Sequence, residues 1–379
     1  MDEFRITAKQ IGISISSLFM LRHDWRGGND FFAYFIRFSL FLLLYSSSLL
    51  CLMASEEEED SSAEPYNWFE AVSPKWVWKS KVAEPLNLIN YRSALRVLLQ
   101  QWESHSPRSL ESVNQKRIGL KVYTNSGSGL STPRNLVRAL IEELEERGEA
   151  RQNMFIYDLS ENHLREAGFL PSRSSRKNEF YGVPVYALET GEFYEDMWHY
   201  DSSVPPRTPK VFESSLNLQN NYENLNDQSR KSLLPVPLIR ETELWINLPM
   251  VSTIPGLGVN GALANATIWN ASNTRRFLSS PANASVVVAE MAAIPELQEP
   301  WAFTVLSLER YQYIGGVTFN SLYTQSENSL LLSSNPVAMD HVMLKKINVM
   351  REKTGFEPIE PVPSLFDYAR AVGLGNWKT

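Results

Sequence analysis

Three side chains in this sequence can move a proton or balance a ligand's charge from places where an α/β fold puts such groups: Lys121, Asp158 and Asp340. Asp158 closes the apolar run MFIYD, and open α/β sheets place functional carboxylates at the C-terminal ends of strands. Its competing role is to cap the helix expected to start near Ser160. Lys121 sits among alternating Ile118, Leu120 and Val122, four residues before Asn125, so both belong to one strand end. Asp340 lies one turn inside a helix opened by Ser334-Asn335-Pro336, where it either complements the helix dipole or faces a site. These three are the candidate catalytic residues.

Around them stand residues suited to orienting a polar ligand. Asn125, Ser126, Gly127 and Ser128 form a small-residue loop ahead of a helix, and helix N-termini present backbone N–H groups to anions. The loop lacks the lysine of a phosphate loop and the glycine spacing of a dinucleotide fold, so a structural turn is an equal reading. Asn247, Asn260 and Asn265 each offer a donor and an acceptor without charge. The stretch 256–270 that holds the last two can also be a tight loop followed by a small-residue helix. Arg275 with Arg276, and Arg310 within Glu309-Arg310-Tyr311, are candidate anion clamps or surface ion-pair partners.

Other chemistries find little support. The sole cysteine, Cys51, lies in the apolar N-terminal run, so no disulfide or cysteine-ligated cluster is expected downstream. His199 is the one histidine set among carboxylates, within Glu195–Asp201, and no second histidine is near it. No metal and no cofactor is expected. A net charge of −7 without a basic run argues against nucleic acid as a partner.

The elements that must hold these residues read as an α/β domain. Thr132 is the expected N-cap and Pro133 the first residue of a helix whose apolar face is Leu136, Val137, Leu140, Ile141 and Leu144, closed by Gly148. Helices are also expected at 86–103, 160–168, 284–294 and 335–355, and strands at 154–158, 183–188, 243–248 and 301–308. Strands alternating with helices imply a layered, mostly parallel sheet with helices on both faces. Residues 189–232, rich in Asn, Ser and Pro, form a long excursion from the domain at 86–379.

Residues 31–54 are apolar, with Arg5, Lys9, Arg22, Arg26 and Arg37 before or near the start and acids from Glu56 to Asp60 after the end. That asymmetry predicts a signal peptide or signal anchor over 1–54, an exported domain in the periplasm or another extracytoplasmic space, and membrane attachment through 31–54. Residues 55–85 read as an acidic linker and an extended segment.

The pieces KVYTN-SGSGLSTP, FIYD, ELWINLP, GALANATIWN and SSNPVAMD, in this order from about residue 117 onward, resemble the family called domain of unknown function 362. Lys121, Asn125, Asp158, Asn247, Asn265 and Asp340 fall on its pattern. The chain departs from it after the INLP strand, where Met250 to Pro255 carry no Lys or His, and it lacks the ferredoxin-type cysteines of some relatives. The resemblance implies a fold and a site location more than an activity. The expected function is binding of a small anionic ligand in a polar Asn- and Gly-rich cleft. An enzyme, a non-catalytic binding module and a structural or interaction protein of the cell envelope remain open.

Overall fold

The structure is a computed structural model that describes residues 77–110, 117–171, 177–201, 231–279 and 281–377. The expected export segment, the acidic run and the greater part of the excursion lie outside the described residues. Everything described belongs to one compact unit, Ser62–Thr379. It starts with β1 (Trp78–Lys81) and α1 (Leu88–His105), then β2 (Arg117–Val122), α2 (Arg134–Glu146), β3 (Met154–Asp158) and α3 (Glu161–Glu166). The hairpin β4 (Glu179–Phe180) and β5 (Val183–Ala187) follows, and a ribbon of β6 (His199–Asp201) with β7 (Lys231–Leu233) joins the two ends of the excursion. After α4 (Val236–Arg240) come β8 (Thr242–Leu248), the ribbon β9 (Ser252–Ile254) and β10 (Gly258–Asn260), and the helices α5 (Ala262–Ala266), α6 (Arg275–Ser279), α7 (Pro281–Ala292) and α8 (Pro295–Gln298). The last part holds β11 (Trp301–Ser307), the ribbon β12 (Tyr311–Gln312) and β13 (Thr324–Gln325), β14 (Ser329–Ser333), α9 (Pro336–Lys353) and α10 (Leu365–Ala371).

Eight strands form one mixed sheet in the order β1-β14-β11-β8-β2-β3-β5-β4. The neighbours from β11 through β5 run parallel, whereas β1, β14 and β4 pair antiparallel at the edges. The sheet is therefore mixed where the sequence suggested a mostly parallel one. The reason lies in the connections. Between β11 and β14 the chain carries only a ribbon and short turns, with no α-helix to return it to the same end, so β14 comes back antiparallel. At the other edge Tyr181 and Gly182 take φ of 53° and 77°, the two positive values that a tight hairpin of this twist requires.

The chain leaves β2 toward β3 and β5 on one side, and leaves β8 toward β11 on the other. β2 and β8 are parallel neighbours, so the strand order reverses between them. Open α/β sheets bind ligands in the crevice beyond the strand ends at such a point.

Alternation of side chains separates the two faces. Ile118, Leu120, Val122, Leu244, Ile246 and Leu248 pack with α1 and α2. Trp245, Leu306 and Leu331 face the other way, toward α5, α7, α9 and α10. The helices form where the sequence supplies a buried stripe and stops. In α2 the stripe is Leu136, Val137, Leu140, Ile141 and Leu144. It ends at Gly148, φ 96°, where Gly148 and Glu149 N–H groups return to Glu145 and Leu144 carbonyls. α9 begins at Asn335, whose side chain accepts from the Val337 and Ala338 N–H groups at 3.1 and 3.0 Å. Between α1 and α2 the fully buried Glu143 carboxylate receives Arg92, Arg96 and Arg147.

Candidate functional site: a buried polar row beside an open pocket

Near the C-terminal ends of the central strands, Thr304, Asn247, Lys121 and Tyr157 are successive register partners across β11, β8, β2 and β3. All four have no exposed surface. Polar groups of this kind in a sheet interior lose water and must find partners. Lys121 Nζ donates to the Val122 carbonyl at 3.0 Å and makes an ion pair with Asp158. The second Asp158 oxygen accepts from Thr124 N at 2.8 Å and Thr124 Oγ1 at 2.6 Å, and Asn125 Nδ2 approaches both oxygens at 3.3 and 3.4 Å. Burial drives the Lys121 pKa below its ordinary value, more strongly than the Asp158 charge restores it. Asp158 does not cap α3. The first N–H of that helix, on Glu161, donates to Glu189 Oε1 at 2.7 Å.

On the β8 side, Asn247 Nδ2 donates to the Ala262 carbonyl at 2.9 Å and Asn247 Oδ1 accepts from Asn265 Nδ2 at 2.7 Å. Asp340 reaches from α9 to the start of α5, where its two oxygens accept from Ala262 N at 2.5 Å and Leu263 N at 2.9 Å. A side chain at Gly261 would run into that carboxylate, so glycine is required there. Burial pushes the Asp340 pKa up to about 7, against the two N–H donors. Asn260 is tied to Tyr123 Oη at 2.9 Å, Ser252 Oγ at 3.1 Å and Trp269 Nε1 at 2.6 Å. Tyr123 Oη is also 2.8 Å from Ser126 Oγ.

The structure thus links Lys121, Asn125 and Asp158 directly and sets Asn247 beside them with Asn265 attached. Asp340 joins through α5, and Ser126 and Asn260 join through Tyr123. What it shows is a closed network and not an open cleft: among these residues only Asn125 is partly exposed. Gly127 and Ser128 turn away, with Ser128 exposed. Arg275 stands exposed on α6 outside the network, and it is the neighbouring Arg276 that is buried. A five-residue helix that turns one arginine inward turns its neighbour outward. His199 lies apart in β6, its Nδ1 2.7 Å from the Asp196 carbonyl.

An open pocket of about 290 Å³ lies at the same edge, lined by Ser128, Ser131, Thr132, Arg134, Glu166 and Arg310 among others. Thr132 is not the cap of α2. Its hydroxyl donates to the Leu248 carbonyl at 2.6 Å and accepts from Tyr123 N at 2.8 Å, stitching the end of β8 to the end of β2. Pro133 occupies the cap position with extended ψ of 128° and brings no side-chain acceptor. Arg310 spans from the β11 side to the Gly129 carbonyl at 2.7 Å.

Sequence reasoning missed Tyr157 and Thr304, although both sit at the depth of Lys121 and Asn247 near their strand ends. It also missed Arg134, whose signal is its place right after Thr132-Pro133. Among the described residues, no cluster of three or more His, Cys, Asp or Glu is arranged to hold a metal, and no helix is long and apolar enough to cross a membrane. Searches of protein-family models, of curated proteins and of solved structures returned no match.

Proposed function

We propose that this protein binds a small molecule carrying a carboxylate or phosphate group in the pocket between the ends of β2 and β8. The observation that carries the reading is the coincidence of that pocket with the reversal of strand order. Arg134 and Arg310 line it and can hold an acid group. Glu166 and Glu309 also line it, so the ligand's other end carries a hydrogen-bond donor such as a hydroxyl or an amine. The order of motifs that resembles domain of unknown function 362 supports the same sheet edge.

A binding module is favoured over an enzyme by one feature. The charged groups Lys121, Asp158 and Asp340 are buried and bonded within the protein. The charge asymmetry around residues 31–54 supports an exported and membrane-attached domain, and a reporter active only outside the cytosol, fused after residue 60, tests it.

The ligand test is calorimetric titration with inorganic phosphate and with a series of hydroxy and amino acids. Binding is expected in wild type, with affinity at least about tenfold weaker in Arg310→Ala, the loss of one charge-assisted bond. Absence of binding across the series, or equal affinity in the variant, overturns the proposal.

A further inference from the structure

A second pocket, of about 400 Å³, lies between the end of β13 and the last turns of α9. Its helix wall is Lys345, Lys346, Val349, Met350 and Lys353. These fall at i, i+1, i+4, i+5 and i+8, a single face of the helix. Gln325, Ser326 and Glu327 form the opposite wall, and the buried Tyr311 also lines the pocket. Two contacts join the walls. Lys346 Nζ donates to Glu327 Oε2 at 2.7 Å, and the Tyr323 and Phe356 rings meet edge to face with centroids 5.7 Å apart. The segment 323–327 therefore runs along α9 in the opposite direction, fastened near both ends, and the space between is formed before any guest arrives.

The pocket is basic in a chain whose net charge is −7. Its one acid, Glu327, is already balanced. Burial alone would raise its pKa, yet the Lys346 and Lys79 ammoniums hold the carboxyl down at about 2. Lys345 and Lys353 are exposed at the rim, and Val349 between them keeps 48% of its surface open. Those two lysines are eight residues apart, about 12 Å along the helix axis. In an extended peptide, side chains four residues apart share a face and lie about 13 Å apart, with a third side chain midway. The pattern cation, apolar, cation on α9 is thus matched by acid, apolar, acid at alternate positions of a strand.

We propose that this pocket docks an extended acidic peptide, with one carboxylate on Lys345, the next on Lys353 and an apolar side chain on Val349 and Met350 between them. Gln325 and Ser326 supply neutral hydrogen-bonding groups on the other wall. The site is separate from the pocket of Arg134 and Arg310 and does not depend on the acid-binding reading.

The test is fluorescence anisotropy of the full chain in detergent. The probe is a labelled peptide of glutamate, serine, leucine, serine and glutamate in that order, flanked by serines. A control of the same composition has its two glutamates adjacent. Saturable binding of the first peptide is expected in wild type and in Arg310→Ala. About fivefold weaker binding is expected in Lys345→Ala, in Lys353→Ala and for the control peptide in wild type, the effect of losing one exposed ion pair. Both lysines are exposed, so the variants are expected to melt as wild type does. No saturable binding in wild type, unchanged affinity in either lysine variant, equal affinity for the two peptides, or loss of binding in Arg310→Ala overturns the proposal. Displacement of the peptide by inorganic phosphate at the concentration the peptide itself requires would make this a phosphate site and also overturns it.

Discussion

Asp158 draws its partners from β2 and the loop that follows: Lys121, Thr124 and Asn125. Removing its charge strands the Lys121 ammonium inside the sheet. Asp158→Asn is expected to cost about 3–5 kcal/mol by urea denaturation, the range for breaking one half of a buried pair. The double change Lys121→Met with Asp158→Asn is expected to recover part of that loss, because no unpaired charge remains. Equal stability of Asp158→Asn and wild type would show that the pair does not act as described. Asp340 gives a pH test. Its pKa rises from an ordinary 3.8 to about 7 on folding, so the folded state holds more protons across that interval. Stability contributed by this group is therefore full at or below about pH 4 and lost as pH rises through about 7. His341 has the opposite sign, since burial lowers its pKa to about 4, with Lys345 adding to the effect. Subtracting the profile of Asp340→Asn from that of wild type removes the histidine. The difference is expected to fall from pH 4 to 7, and a flat or rising difference refutes the assignment.

At the scale of elements, α1 and α2 are held by apolar stripes and by Glu143, whose side chain has no exposure and meets Arg92, Arg96 and Arg147. Burial alone would raise its pKa, yet the three guanidiniums together hold it below the ordinary carboxylate value. Glu143→Gln is expected to cost on the order of 3 kcal/mol by thermal or urea unfolding. A change below a few tenths would assign the helix contact to the leucines alone. These two helices were readable beforehand because their stripes, and Gly148 after α2, are local signals. The strands β3, β5, β8 and β11 were legible for the same reason, as runs of apolar residues with clear ends. The edges were not. β1 is the tetrapeptide Trp78–Lys81 and β4 only Glu179–Phe180, too short for any periodicity to register. The site was legible as a set of residues at strand ends but not as a geometry. Whether Thr132 caps a helix or ties two strands, and which of Arg275 and Arg276 turns inward, depends on neighbours more than a hundred residues away or on the phase of a one-turn helix.

For the molecule as a whole, the outermost pairing decides how the sheet ends. β1 covers β14, whose five residues are all buried, with Trp78 opposite Leu332 and Lys81 opposite Ser329. Without β1 an apolar strand edge is bare, a template for association between copies. A chain starting at residue 77 is expected to run as a single species by size-exclusion chromatography, whereas one starting at residue 86 is expected to aggregate. Monodisperse behaviour of the shorter chain would mean that another part of the molecule shields β14.

That same pairing sets the order in which the protein can be completed. β1 leaves the ribosome early, but its partner at Ser329–Ser333 is made only when nearly the whole chain has been synthesised. β2 likewise waits for β8, more than a hundred residues later. Contacts so distant in sequence make for slow folding, and the half-made sheet keeps its strand edges open while it waits. A nascent chain of this design keeps those edges unpaired until late in its synthesis. It also stays vulnerable for that time, so its yield should depend on a chaperone that holds unfolded chains far more than its finished stability would suggest.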